Sequence, residues 1–164
     1  MIFFTCGNMP NFQRVIEHID LLIPELDEDV FMQIGETEYR PINARYEPFL
    51  KDQQKYFEQA RLIISHGGFS TLEIIYLGKP LIIVPRQLKY GEHFNDHQGS
   101  FAEFLNRRFG VPVFLDVSEL SSAFIHDYNR VVEFDRSPIT RFQSHIEKVV
   151  FGETDSGDAG EADG

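Results

Sequence analysis

Apolar residues along this chain fall into short runs of strand length, separated by stretches with helical spacing. Ile2–Cys6 is a first apolar run, closed by Gly7-Asn8. Phe12, Val15, Ile16, Ile19, Leu22 and Ile23 then recur at i, i+3 and i+4, which predicts a helix from an Asn11 cap to Ile23, ended by Pro24. Val30–Ile34 reads as a second strand closed by Gly35. A short, irregular third strand is expected within Ile42–Phe49, limited by Pro41 and Pro48. Leu50–Ala60 is amphipathic and reads as a helix. Leu62–Ser65, Leu81–Val84 and Val111–Leu115 are further strand-like runs. A helix containing Glu73–Leu77 ends at Gly78 with Pro80 beyond it. Gln98–Phe109 is a helix closed by Gly110, and Ser118 is placed to cap another through Tyr128. Strands alternating with helices at this spacing predict an α/β domain built of βαβ units around a parallel sheet, with right-handed crossovers.

Composition narrows the picture. With 164 residues the chain suits one domain with a sizeable core, and sixteen Phe with no Trp point to a Phe-rich interior. No run approaches the roughly 18 to 20 apolar residues of a membrane-spanning helix. The opening MIFFTCGN has no basic region ahead of its apolar residues and reads as a first strand rather than a signal peptide. The single cysteine, Cys6, excludes an intrachain disulfide and offers no zinc-ligand pattern. A cytoplasmic location is the resulting expectation. The formal charge is −11; five of the acids lie in residues 153–164, and the remainder is still net acidic, which argues against nucleic-acid binding. Residues 1–151 are read as the domain, and 152–164, lacking an apolar anchor, as an acidic disordered tail.

The chemistry concentrates in residues 63–98, IISHGGFSTLEIIYLGKPLIIVPRQLKYGEHFNDHQ. The strand–turn–helix–strand–loop order sets His66, Gly67, Gly68, Ser70, Thr71, Glu73 and Asn95–Gln98 on one edge of the sheet, where open α/β sheets bind ligands. A glycine pair admits close backbone approach, and the two hydroxyl residues add donors, a combination suited to a diphosphate held without a metal. Gly-Gly followed by Ser/Thr also occurs simply as a structural turn. Neither GxGxxG nor GxxxxGK[ST] is present, which disfavours a Rossmann dinucleotide site and a P-loop. Glu73 suits a ribose diol, and equally the start of any helix. His93 and His97, with Glu92 and Asp96 alongside, raise a metal site, but the HExxH order is absent and the group reads better as hydroxyl-binding.

The run Ile63–Gln98, with the opening MIFFTCGN, resembles the C-terminal, donor-binding domain of the family-28 glycosyltransferases. The likeness covers residues 1 to about 128. It is closest to a stand-alone group in which donor and acceptor domains are separate chains. That group includes bacterial exopolysaccharide and capsule β-1,4-glycosyltransferases and, more distantly, the eukaryotic dolichol-linked N-acetylglucosaminyltransferase. The stretch VPRxxKYGEHFNDHQ, residues 84–98, is similar to the exopolysaccharide branch. The resemblance implies a Rossmann-like parallel-sheet domain, the C-terminal half of a GT-B fold, that binds a uridine-diphosphate (UDP) sugar. It implies that Gly7 and Asn8 approach the phosphates and that Gly67, Gly68, Ser70 and Thr71, with His66, cradle them. Glu73 then takes the ribose, and Asp96, His97 and Gln98 face the sugar. Arg86 and Lys89 offer positive charge to a uronic acid carboxylate, although neutral-sugar relatives also carry basic residues there.

Inversion without a metal or other cofactor follows from the same likeness. So does a membrane-anchored partner subunit that brings the polyprenyl- or dolichyl-diphosphate-linked acceptor and holds the chain at the cytoplasmic membrane face. Glu92, His93 and His97 are the candidates for a general base within this chain, though donor positioning suits them better. Two further readings stand beside this one. A non-catalytic nucleotide-sugar-binding module could stabilise or regulate a partner transferase. A nucleotide-sugar epimerase would need both halves of the fold in one chain.

Overall fold

The computed structural model describes residues 1–133. The expected domain end at 151 and the acidic tail lie outside the described residues. Five strands form one all-parallel sheet in the order β3-β2-β1-β4-β5: β1 (Ile2–Thr5), β2 (Val30–Gln33), β3 (Arg45–Glu47), β4 (Leu62–Ser65) and β5 (Leu81–Ile83). Among the described residues five α-helices alternate with them or follow: α1 (Gln13–Leu22), α2 (Gln54–Gln59), α3 (Ser70–Tyr76), α4 (His97–Phe109) and α5 (Ser122–Asp127). β1, β4 and β5 are buried at every position, as strands covered on both faces must be.

Side chains alternate between two apolar layers. On one face Ile2, Phe4, Met32, Ile64 and Ile82 pack with Val15, Ile16 and Ile19 of α1 and Ile125 of α5. On the other, Phe3 and Phe31 stack on Tyr56 of α2 at centroid distances of 5.3 and 4.5 Å, and Phe3 meets Phe57 at 5.7 Å.

β1 is paired with β2 on one side and with β4 on the other, so the direction of winding reverses between β1 and β4. A crevice at the carboxyl ends of those two strands is where such sheets take ligands. Gly7 follows β1 there, and His66-Gly67-Gly68 follow β4.

Several boundaries differ from expectation. Asn11 does not cap α1: it adopts a left-handed conformation, φ 63°, and Phe12 occupies the cap position without a side-chain bond. α2 begins at Gln54 rather than Leu50. Ser118 is held by Asp116, whose side chain caps a 3-10 turn over Val117–Glu119, and the cap of α5 is Ser121. Val111–Leu115 contributes a single parallel bridge, Ile83 to Val113, because only Pro112 and Phe114 exchange backbone bonds with β5. Gly78 and Gly110, as expected, sit at the ends of α3 and α4 with φ 68° each.

Residues 34–44 cross from β2 to β3 without a helix and are fastened to α1 by one buried carboxylate. Asp20 accepts from Tyr39 Oη at 2.8 Å and from the backbone N–H groups of Ile42 and Asn43 at 2.9 Å each. That segment lines a cavity of about 660 Å³ beside the start of α1, bounded by Pro10, Gly35, Glu36 and Phe49 among others.

Candidate functional site

The turn after β1 is shaped by polar side chains buried in the strands themselves. Thr5 Oγ1 donates to Gln33 Oε1 at 2.6 Å and accepts from Gln53 Nε2 at 2.6 Å and from Gly7 N at 3.3 Å. Gln33 Nε2 in turn donates to Gly7 O at 2.8 Å. Gly7 has φ +71°, a conformation that favours glycine. Thr5, Gln33 and Gln53 thus fix one lip of the crevice, and none of the three stands out in sequence. The available signal is a polar residue, Gln33, ending an otherwise apolar strand.

His66 forms the floor between the two lips. Its backbone N–H and its ring Nδ1 both lie 3.3 Å from Thr5 O. A Cβ on Gly7 would sit 2.7 Å from the ring's Cε1 and Nε2, and one on Gly68 would sit 2.3 Å from Nε2. The two glycines are therefore needed for steric reasons: a side chain at either position would run into the imidazole. Gly67, φ +83°, brings the chain against β5, where its Cβ would lie 3.1 Å from Ile83 Cγ2. Burial, reinforced by the nearby Arg86 charge, holds the His66 pKa down at about 4. A neutral ring with Nδ1 against a carbonyl carries its proton at Nδ1.

That depression gives a stability prediction. The unfolded chain protonates this histidine near 6.5 and the folded chain only near 4. Between those values the unfolded state binds the extra proton, so folding weakens as pH falls through the window, and there is no effect above about pH 7. From pH 7 to 4.5 the wild-type chain is expected to lose about 2 kcal/mol more stability than His66→Gln in urea denaturation. Parallel losses in the two proteins would contradict a neutral buried His66.

In α3, Thr71 is buried with no partner for Oγ1, Ser70 is half-buried and Glu73 is exposed. Asn8 is also exposed. Beyond β5, Gln98 is buried with its Oε1 unpartnered, and its carbonyl oxygen lies 3.8 Å from the Cβ position of Gly67. The start of α4 therefore closes onto the glycine turn. Asp96 Oδ1 accepts from Leu88 N at 2.8 Å and so shapes the loop before α4. His97 is exposed and contacts Asn95 Oδ1. The His93 ring meets His97 at 4.7 Å and Phe94 at 4.2 Å. Desolvation, followed by the charges of His97 and Arg86, lowers the His93 pKa.

Two residues take places that sequence did not foresee. Glu92 is buried, with Oε1 2.7 Å from Arg14 Nε and Oε2 3.0 Å from both Arg14 Nη2 and Gln87 N. Both oxygens are engaged, so this carboxylate is an internal tie between α1 and the β5–α4 loop rather than a free base. Arg86 is wholly buried, and its terminal nitrogens donate to four backbone carbonyls. It does not present its guanidinium at the open edge, where a sugar carboxylate would arrive. Lys89 lies nearby on a 3-10 turn, with Nζ 4.7 Å from the Tyr90 ring centroid. Among the described residues, no three His, Cys, Asp or Glu side chains are grouped to hold a metal ion.

Residues 1–110 match the glycosyltransferase family 28 C-terminal domain. The UDP-N-acetylglucosamine–N-acetylmuramyl-(pentapeptide) pyrophosphoryl-undecaprenol N-acetylglucosamine transferase of Desulfotalea psychrophila is 38% identical over 77 residues, 46% of this chain and 20% of that protein. The transferase of the same name from Pseudomonas fluorescens is 29% identical over 113 residues, 63% of this chain and 31% of its own length. The chain thus spans a minor part of these relatives. Among solved structures, the calicheamicin glycosyltransferase CalG4 superposes with a TM-score of 0.56 at 18% identity, covering 92% of this chain and 38% of that one. MurG of Acinetobacter baumannii gives 0.54 at 19% identity, covering 86% and 40%. At such identities the likeness is one of fold. The fold is the expected one, a Rossmann-like parallel-sheet domain corresponding to the C-terminal half of a GT-B glycosyltransferase.

Proposed function

Because this chain belongs to glycosyltransferase family 28, through that family's C-terminal domain, we propose that it binds a UDP-sugar and serves as the donor half of an inverting hexosyltransferase. The acceptor in this reading is a saccharide on a polyprenyl or dolichyl diphosphate, supplied by a membrane-anchored partner subunit in surface-polysaccharide or glycan assembly. Among the described residues no helix is long and apolar enough to cross a membrane. Support for the donor and for a lipid-linked acceptor comes from the curated relatives, whose names specify UDP-N-acetylglucosamine and a pyrophosphoryl-undecaprenol substrate.

One observation carries the placement of the site. Among the described residues, the buried side-chain nitrogen and oxygen atoms without a hydrogen-bond partner are Thr71 Oγ1, Gln98 Oε1 and Arg86 Nε. Folded proteins pair nearly all such groups, so unpaired ones need an explanation. All three belong to segments that border the β1/β4 crevice, and in this reading a polar ligand pairs with Thr71 Oγ1 and Gln98 Oε1 once the atoms that close them off from solvent move aside. In this reading Gly67, Gly68, Ser70 and Thr71 hold the diphosphate, with Gly7 and Asn8 on the opposite lip. Glu73 accepts from the ribose hydroxyls. Asp96, His97 and Gln98 meet the sugar. Hydrogen-bond donors aimed at the departing diphosphate are what these residues contribute to the chemistry, with no metal or other cofactor assigned. The partner contributes the acceptor and the base.

Calorimetric titration with UDP tests the reading. The full chain is expected to bind, and Glu73→Ala to lower affinity roughly 10- to 100-fold, the worth of hydrogen bonds to a carboxylate. Because Glu73 is exposed, its loss should leave stability within about 0.5 kcal/mol of wild type. Unchanged affinity removes Glu73 from the site, and absence of UDP binding by the wild-type chain overturns the reading.

A further inference from the structure

Arg86 stands three residues beyond β5, inside the loop that leads to α4. Its side chain is completely buried. Nη1 donates to Pro10 O at 2.6 Å and to Glu92 O at 3.1 Å; Nη2 donates to Cys6 O at 2.8 Å and to Met9 O at 2.6 Å. The guanidinium carbon lies 4.5 Å from the centroid of the Phe12 ring. Three of the four carbonyls belong to the turn that contains Gly7, and the fourth to the loop that contains His93. One guanidinium therefore sets the spacing of two segments that border the crevice.

The electrostatics are as unusual as the geometry. A guanidinium is charged at every accessible pH, and a buried charge is costly unless an opposite charge compensates it. Among the described residues Arg86 forms no ion pair. The neighbouring acid, Glu92, gives both carboxylate oxygens to Arg14 and to Gln87 N. Carbonyl dipoles, an aromatic face and the charge of the nearby Glu92 carboxylate all favour the charged Arg86, but Arg14 shares that carboxylate, so the cluster of two arginines and one acid keeps a net positive charge. Its field is felt by the groups around the crevice: after desolvation, the Arg86 charge is the next cause depressing the His66 pKa, and it contributes to the lowering at His93. Both effects have the sign of a positive potential.

We propose that Arg86 is the fixed positive charge of this site, a positioning residue that sets the Gly7 turn and, without touching the ligand, selects a nucleoside diphosphate over less charged nucleosides. The inference rests on the UDP-binding reading above. In a site partly closed to water, one fixed charge near a polyanion is worth roughly 10- to 30-fold in affinity. A purely structural clamp would instead change the affinity for every ligand of the site alike.

The test is the ratio of UDP affinity to uridine affinity, measured by calorimetry on the full chain. In Arg86→Gln, UDP binding is expected to weaken by roughly 10- to 30-fold and uridine binding by less than about 3-fold. Arg86→Lys, which keeps the charge, is expected to retain most of the wild-type ratio. Equal losses for the two ligands, or a lysine variant indistinguishable from the glutamine one, would overturn the proposal. Wild-type protein supplies an independent readout should the glutamine variant not fold. A buried charge is poorly screened, so the preference for UDP should persist as NaCl rises from about 50 to 500 mM. Collapse of the preference with salt would assign it to surface cations and overturn the proposal. Wild-type protein that fails to bind UDP at all would refute the donor-site reading instead, which keeps the two failures distinct.

Discussion

Alanine at position 68 is expected to lower the affinity of this chain for UDP by about 100-fold, the equivalent of a 2 to 3 kcal/mol overpacking penalty. The added Cβ would lie 2.3 Å from His66 Nε2, 3.0 Å from Cε1 and 3.3 Å from Cδ2. The ring is buried and held at Thr5 O, and Gly7 is also close by, since a Cβ there would lie 2.7 Å from the same Cε1 and Nε2. Relief requires the imidazole to leave Thr5 O and swing into the space between the lips, where the proposed diphosphate sits. The same argument gives a control. In a His66→Ala background the ring is gone, and Gly68→Ala should then cost less than about 3-fold, a coupling that a double-mutant cycle reads directly. Full affinity in the single variant, or an equal loss in both backgrounds, would contradict a clash with the His66 ring.

The second large effect concerns stability. Asp20→Ala is expected to destabilise the fold by about 3 to 5 kcal/mol, because three donors lose their acceptor at once in a buried place. Those donors, Tyr39 Oη and the N–H groups of Ile42 and Asn43, fasten the helix-free crossover from β2 to β3 onto α1. Asp20→Asn keeps one carbonyl oxygen and should fall between alanine and wild type. Urea denaturation measures both. A loss under about 1 kcal/mol for alanine would mean that apolar packing alone holds the crossover.

The elements that were legible in the sequence are those with a strong local signature. The i, i+3, i+4 spacing of Val15, Ile16 and Ile19 marked α1, the continuous apolar runs marked β1, β4 and β5, and Gly78 and Gly110 marked two helix ends. The glycine pair was legible as a place of close approach. What it approaches was not: the nearest body is His66, not only a ligand. Asn11 illustrates the limit of cap rules, since a residue suited to a cap is also one of the few that tolerates a left-handed backbone. Arg86 was misplaced because arginine is ordinarily exposed, and its burial depends on carbonyls 76 to 80 residues earlier in the chain. Glu92 was obscured in the same way by Arg14, 78 residues away. Thr5, Gln33 and Gln53 make a network only after parallel pairing brings β1 beside β2. Local pattern fixes elements, whereas polar networks depend on register, and register is a property of the assembled sheet.

Amide chemical-shift mapping of the full chain with UDP addresses both the ligand and its location. The donor-site account predicts saturable shifts concentrated at Gly7 and Asn8, at His66 through Glu73, and at Asp96 through Gln98, with His66→Ala and Glu73→Ala each weakening them. Shifts confined to the cavity bounded by Pro10, Gly35, Glu36 and Phe49, or no saturable shifts at all, would contradict it.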